Sequence, residues 1–396
     1  MPTKLYVVGA TKGRPYNVGY IPNLSGGEIL RTLRTKMICV LLVLCLLLSG
    51  CTTSIGEYQS EYNRYQVTFF GMFDTVIEIL GNAKDQEQFS YFVQIIHERL
   101  EELHQLFDIF NEYEGINNLK TINLNAGIQP VEVSQDIITL LLLAKEGYTI
   151  TDGLFNIALG SVLTIWHDYR TFGRRHPDLA ALPDMDELIK ASSLTNINDI
   201  IIDQENSTVF LLHTGMSIDV GAIAKAFASE SAAAMARDRG FSSFLLNAGG
   251  QITVVGEPLD TDATRWGIAI QDPELGVAGT RNRIDTIFLN GGTVATSGGY
   301  VRRFFIENES FGHIIDPRTL MPPTLHSAVT VIHECGIMAD IISTALFILP
   351  VEEGKELLLQ TGGDALWIGI NGEMRATDGY ARVSQVLGNS SAFDSH

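Results

Sequence analysis

Phe244-Leu-Leu-Asn-Ala-Gly-Gly-Gln-Ile-Thr-Val-Val255 holds two apolar runs, Phe244–Leu246 and Ile252–Val255, separated by a glycine pair. Each run is short and apolar, as a strand requires. The glycines supply either a tight turn or a close backbone approach to a ligand or another segment. Working outward, strands are expected at Gly267–Ile270, Thr286–Leu289 and Ala328–Ile332, with hairpins over Ile200–Leu212 and around Asn371-Gly372. Gln66–Leu80 reads as one strand with a break at Gly71. Phe89, Phe92, Ile95, Ile96, Leu100 and Leu103 recur at helical spacing, which predicts an amphipathic helix over Glu87–Phe107. Ser134 is placed to cap a second helix through Tyr148, and an alanine-rich helix is expected over Ala222–Arg239. Gly173–Asp186 reads as a surface loop. Ile337–Leu349 and Val351–Thr361 read as helices split at Pro350. Strands and helices mix without strict alternation, which indicates an α+β fold rather than a doubly wound parallel sheet.

Charge and the N-terminus bound the rest. Met37 to Leu48 is an apolar run too short to span a bilayer, preceded by Arg31, Arg34 and Lys36 and ending Leu48-Ser-Gly-Cys51. That describes an export signal whose last four residues resemble a lipobox, with a transmembrane anchor as the other reading. Residues 1–50 are therefore set apart as a signal segment, with Met37 a candidate initiator in place of Met1, and 51–65 as a tether. The chain of 396 residues keeps 346 after Gly50. The first 50 hold six of the 27 Lys and Arg and one of the 46 acids, so the remainder carries 21 bases against 45 acids. Such an acidic chain repels nucleic acid and lacks a basic patch for anionic lipid, so a lipid on Cys51 would have to hold it at a membrane. With Cys51 acylated, Cys335 has no partner for a disulfide and reads as a small core residue.

Four further stretches carry chemistry. Thr296-Ser-Gly-Gly-Tyr-Val-Arg-Arg-Phe-Phe305, followed by Gly312-His-Ile-Ile-Asp-Pro-Arg-Thr319, concentrates glycines, three arginines, His313 and Asp316. Arginines suit phosphates and a histidine moves protons near neutral pH; a decorated hairpin is the plainer reading. Ser217-Ile-Asp-Val-Gly-Ala-Ile-Ala-Lys225 is a strand, a turn at Gly221 and a helix start, where unpaired N–H groups and Lys225 suit an anion. Asp340 and Thr344, four apart on a helix, put two oxygens on one face. They suit Mg²⁺, or Asp340 acts as a helix cap. Thr151-Asp-Gly-Leu-Phe-Asn156 is a turn that either lines a cofactor slot or merely turns the chain.

Taken in order, these blocks, with Phe70-Gly-Met-Phe-Asp-Thr75, resemble the FAD:protein FMN transferases of the ApbE type over Phe69 to Leu349. The resemblance implies a mixed-sheet α+β fold related to the T-fold, with the flavin transferase domain over residues 66–385. It implies Mg²⁺-dependent transfer of FMN from FAD to a threonine of an acceptor protein, with release of AMP. The metal would be held by the Ala222 carbonyl and the side chains of Asp340 and Thr344. FAD contacts would come from Met72, Phe110, Leu154, Phe155, Asn156, Asp219 and Lys225. His313 is implied as the catalytic base, with Asp316 the lesser candidate; in a strand the two would face opposite sides. The implied partner is a membrane redox subunit of the Rnf or sodium-pumping NADH:quinone reductase kind, and the implied location is the extracytoplasmic face of the cell membrane. Three departures stand out: Phe110 where the family often has tyrosine, Asn156 where aspartate is common, and Leu320 where glycine usually follows. An FAD pyrophosphatase and a non-catalytic flavin-binding surface lipoprotein are the alternatives.

Overall fold

The computed structural model describes residues 60–273, 283–300, 302–307 and 309–394. The expected signal segment, Cys51 and the tether as far as residue 59 lie outside the described residues. From the N-terminal side the chain runs through β1 (Asn63–Met72), β2 (Thr75–Ala83), α1 (Gln86–Phe107), α2 (Leu119–Leu124), β3 (Val131–Glu132) and α3 (Gln135–Ile150). It continues through α4 (Gly160–Arg175), α5 (Met185–Ser192), β4 (Ile200–Asp203), β5 (Thr208–Leu211), α6 (Ala224–Asp238), β6 (Phe244–Ala248) and β7 (Gln251–Val255). Next come β8 (Trp266–Gln271), β9 (Arg283–Leu289), β10 (Gly291–Gly298), β11 (Phe304–Ile306), β12 (Glu309–Phe311) and β13 (His326–His333). The last elements are α7 (Gly336–Ile348), α8 (Val351–Thr361), β14 (Asp364–Gly369), β15 (Met374–Ala376), α9 (Asp378–Val383) and α10 (Gln385–Gly388).

The centre is an eight-stranded sheet in the order β1-β2-β6-β7-β10-β13-β14-β15, with every neighbouring pair antiparallel. Both faces are covered, and strand alternation sorts the side chains between them. Val329, Val331, Ala365 and Trp367 face α7 and α8. Their neighbours Ala328, Leu366 and Ile368 face the β8–β9 hairpin, where they meet Trp266, Ile268, Ile270 and Ile287. A third core packs α1, α3 and α6 over β1, β2 and β6, with Phe89, Phe92, Ile96, Leu100 and Leu103 buried as their spacing requires. Asp85 and Ser134 cap α1 and α3, each accepting from a backbone N–H of the first turn.

The expected α+β class holds. The single interrupted strand expected over Gln66–Leu80 is instead the β1–β2 hairpin, whose two loop residues, Phe73 and Asp74, both have positive φ (52° and 50°). A two-residue hairpin loop needs that geometry, and here neither residue is glycine. The surface loop expected over Gly173–Asp186 lies between α4 and α5 and overlaps them only at its ends. The Gly249–Gly250 pair is a tight turn and a close approach at once. Its φ values are 63° and 96°, and a Cβ on Gly249 would lie 2.1 Å from Thr75 Oγ1. The β6–β7 turn thus needs glycine for its torsion and to seat against the β1–β2 turn. Gly249→Ala should destabilise the fold by about 1–3 kcal/mol, read from urea unfolding curves, because the neighbour is anchored in a sheet.

Candidate active site

α7 is apolar nearly all round and largely buried, which suits a core helix but leaves its few polar groups exacting. Its N-terminus is capped from another helix: the Glu230 carboxylate on α6 accepts from Gly336 N at 3.1 Å and Ile337 N at 3.3 Å. Asp340 therefore lies a turn inside the helix and does not cap it. Its carboxylate is buried and Oδ2 has no partner. Burial pushes its pKa up to about 6, while Lys225 and the Ala226 N–H pull the other way. Thr344 donates its hydroxyl to the Asp340 backbone carbonyl at 3.1 Å, which leaves the oxygen lone pairs free. Ser343 Oγ meets Ser297 Oγ of β10 at 2.8 Å, tying the helix to the sheet.

The turn before α6 presents Ala222 at the surface. Asp219 Oδ1 accepts from Gly221 N at 2.8 Å, and Lys225 Nζ donates to Gly221 O at 3.2 Å. Ile223 N and Ala224 N both bond Val220 O. The helix start expected to offer free N–H groups to an anion has thus already used three of them, at Gly221, Ile223 and Ala224. The helix itself begins at Ala224, two residues later than expected, because Ala222 and Ile223 belong to that turn.

His313 shares Lys225 as a neighbour with Asp340. Its Nδ1 is buried without a partner. Burial, then the charges of Arg302, Arg170 and Lys225, push its pKa down to about 3, so the ring is neutral at physiological pH. Of the three arginines in the Thr296–Thr319 stretch, only Arg302 joins the site, donating to the Asp74 carbonyl in the β1–β2 turn at 3.3 Å. Arg303 lies over the Phe305 ring, and Arg318 grips Asp316 through Nε and Nη2 at 3.0 and 2.8 Å. That pair keeps both Asp316 oxygens occupied within their own turn, apart from the groups around His313. The glycines of that stretch serve chain crossing: a Cβ on Gly312 would stand 3.0 Å from Gly299 Cα.

The expected flavin contacts divide. Phe110 is 58% exposed and its ring lies 5.7 Å from that of His167, so it offers an open aromatic face. Met72 lines a groove of about 260 Å³ with Phe70, His97, His104 and Tyr113. Leu154 and Phe155 are buried in two separate cores, so their side chains shape the turn. Asn156 braces that turn at both ends: Oδ1 accepts from Ala158 N at 2.9 Å and Nδ2 donates to Thr195 O at 3.0 Å. An aspartate would lack the second bond, which accounts for the amide here. The Ile157 carbonyl next to it accepts from Asp219 N at 2.9 Å, linking this turn to the one before α6. Leu320 has φ 62° and a buried side chain, and its carbonyl accepts from Trp166 Nε1 at 2.9 Å. The torsion explains why glycine suits that position.

Two residues were missed from sequence, both on α4. Arg170 donates to His167 Nδ1 at 3.1 Å, and Arg170 is one of the charges acting on His313. Their only signal was a spacing of three on a helix, which equally describes a solvated face.

The sequence model of the ApbE family matches residues 73–367. An FAD:protein FMN transferase of Klebsiella pneumoniae is 31% identical over 264 residues, 65% of this chain and 78% of the relative. Another, of Treponema pallidum, is 29% identical over 310 residues, 74% of this chain and 83% of the relative. The crystal structure of the ApbE protein of Thermotoga maritima aligns with a TM-score of 0.70 at 25% identity, covering 81% of this chain and 99% of that one.

Two histidines tie stability to pH. His313 and His326 both have folded pKa values pushed below the ordinary 6.5, chiefly by burial, His313 to about 3. The unfolded chain therefore binds more protons between those values, so this contribution is complete above about pH 6.5 and is lost as pH falls towards the folded values. Asp340, raised to about 6, acts with the opposite sign over the same range, so the histidine share is read by comparison: between pH 6.5 and pH 4 the unfolding free energy from urea titrations should fall more steeply in the parent than in His313→Gln.

Proposed function

The chain belongs to the ApbE family, and from that premise we propose that it transfers the FMN half of FAD to a threonine of an acceptor protein, releasing AMP, with Mg²⁺ as its metal. The observation that carries the reading is the Asp340 carboxylate, buried, with one oxygen unpartnered, beside Lys225 and one turn from the Thr344 hydroxyl. Among the described residues no three His, Cys, Asp or Glu side chains gather as a metal cluster. One carboxylate with neutral oxygens from Thr344 and the Ala222 carbonyl is a hard donor set that suits a metal shared with phosphate oxygens. Mg²⁺ held there would supply positive charge to the FAD pyrophosphate.

The protein's own groups do the rest. Phe110 offers its open face to the isoalloxazine ring, and the groove at Met72 adjoins the turn that carries Asp74. Lys225 places an ammonium at the phosphates. His313, neutral at physiological pH, takes the proton of the threonine hydroxyl. The hydroxyl oxygen bonds to the FMN phosphorus, the bond from that phosphorus to the bridging oxygen breaks, and AMP leaves with the electron pair. Entry of the pyrophosphate sets negative charge against the cations that depress His313, which raises its basicity when it is needed. Asp316 has no part in this step, being held by Arg318.

We extend the proposal to place the enzyme on the extracytoplasmic face of a membrane, held by a lipid on Cys51 and acting on a membrane redox subunit. The Leu48-Ser-Gly-Cys51 ending supports the anchor. Among the described residues no helix is long and apolar enough to cross a membrane.

Incubation with FAD, Mg²⁺ and a threonine-bearing acceptor should add the mass of FMN to the acceptor and release AMP. Free FMN with an unmodified acceptor would indicate hydrolysis instead. Asp340→Ala should lower transfer by about 1,000-fold while the fold survives. Asp340→Asn should melt no lower than the parent without metal, yet lose the rise in melting temperature that Mg²⁺ produces. His313→Ala should slow transfer by about 100- to 10,000-fold and leave FAD affinity nearly unchanged; an equal loss in both would make His313 a positioning group.

A further inference from the structure

Arg170 and Arg302 make no ion pair among the described residues, although the chain carries a net charge of −19. Among those residues the side chain of Arg170 bonds the His167 ring and that of Arg302 the Asp74 carbonyl. Both charges nevertheless act on the half-buried His313, and Arg302 and Arg174 act on Arg170 in turn. Asp219 is the carboxylate that opposes them at Arg170. Crowding guanidinium groups and an ammonium around a neutral imidazole is unfavourable by itself and becomes favourable when an anion enters. Two further observations point to a ligand in the same neighbourhood: Asp340 Oδ2 and His313 Nδ1 are both buried without partners, and Lys225 acts on both groups. The N–H groups of Gly221, Ile223 and Ala224 are already bonded, which leaves that turn few backbone donors for an anion.

We propose that Arg170 and Arg302 are catalytic residues that grip the phosphoryl group in flight. The reading rests on the transfer function above. As the threonine oxygen bonds to the FMN phosphorus and the AMP-side P–O bond breaks, with its electrons leaving on AMP and the hydroxyl proton on His313, negative charge gathers on the non-bridging oxygens. The two guanidinium groups donate to those oxygens. His167 is a positioning residue: its Nδ1 holds Arg170 while its ring lies against Phe110, so one side chain sets the distance between the flavin platform and the phosphate grip.

The test uses the full chain and the variants Arg170→Ala, Arg302→Ala and their lysine counterparts, with folding checked by circular dichroism. FAD and riboflavin are titrated by flavin fluorescence in EDTA, so that no metal contributes. Each alanine variant should bind FAD about 10- to 100-fold more weakly, as loss of a charge-assisted hydrogen bond requires, and bind riboflavin as the parent does. The lysine variants, which keep the charge and lose the fork, should hold FAD affinity within a few-fold and slow transfer. Parental FAD affinity and parental transfer in both alanine variants would overturn the proposal, as would an equal loss of riboflavin binding, which marks a structural role. Should the alanine variants fold poorly, parental transfer rates in the lysine pair would overturn it by themselves. If the parent moves no FMN to any acceptor while FAD binding still depends on both arginines, the transfer function falls and the phosphate grip stands. If transfer is normal in the parent and in both alanine variants, the transfer function stands and the arginine assignment falls.

Discussion

A carboxylate buried in an apolar helix without a full set of partners is the constraint around which the molecule is arranged. Asp340 is held well above the usual carboxylate range by its loss of water. A group in that condition persists only where its surroundings fix it firmly. Glu230 caps α7 from the neighbouring helix, and Ser343 locks the same helix to β10. The apolar contacts of α7 with β13 and β14 supply the stability that offsets the buried charge. The fold thus holds an unfavourable group in place, as sites that bind cations commonly do.

The opposite sign is concentrated next to it. Lys225, Arg170 and Arg302 come from three distant parts of the chain and meet around one imidazole. In a protein with 46 acids and 27 bases, such cations would ordinarily find carboxylates, as Arg318 does with Asp316 and Arg265 with Asp394. Among the described residues these three make no ion pair: Arg170 is held by the His167 ring, Lys225 by the Gly221 carbonyl and Arg302 by the Asp74 carbonyl of the β1–β2 turn. Under the proposed transfer, the buried carboxylate and these cations would serve the metal and the phosphates of FAD.

The parts of this arrangement that depend on local chain geometry were legible in the sequence. Asp340 and Thr344 are four apart, and α-helical repeat alone puts them together. Glycines at 249 and 250 between two apolar runs announced their turn, and the family blocks marked His313, Lys225 and Phe110. Tertiary placement was not legible. Nothing local says that Arg302 reaches the β1–β2 turn, or that Leu154 and Phe155 turn inwards. His167 and Arg170 sit on a helix hidden by Gly153, Gly160 and the polar run after Gly173, and only the folded chain brings Arg170 to act on His313. The β1–β2 hairpin was missed because Phe73 and Asp74 take a torsion that sequence reading reserves for glycine and asparagine.

Leu320 is caught between two demands. Its torsion asks for a residue without a side chain, while its isobutyl group fills the small core beside Trp166, Phe304 and Ile315. Neither demand can be met alone. Evolution or engineering can relax the backbone here only by enlarging a neighbour in the same step. The position is therefore a point of epistasis: a lineage that has accepted leucine has committed the surrounding residues to it, and drift back towards glycine requires paired change.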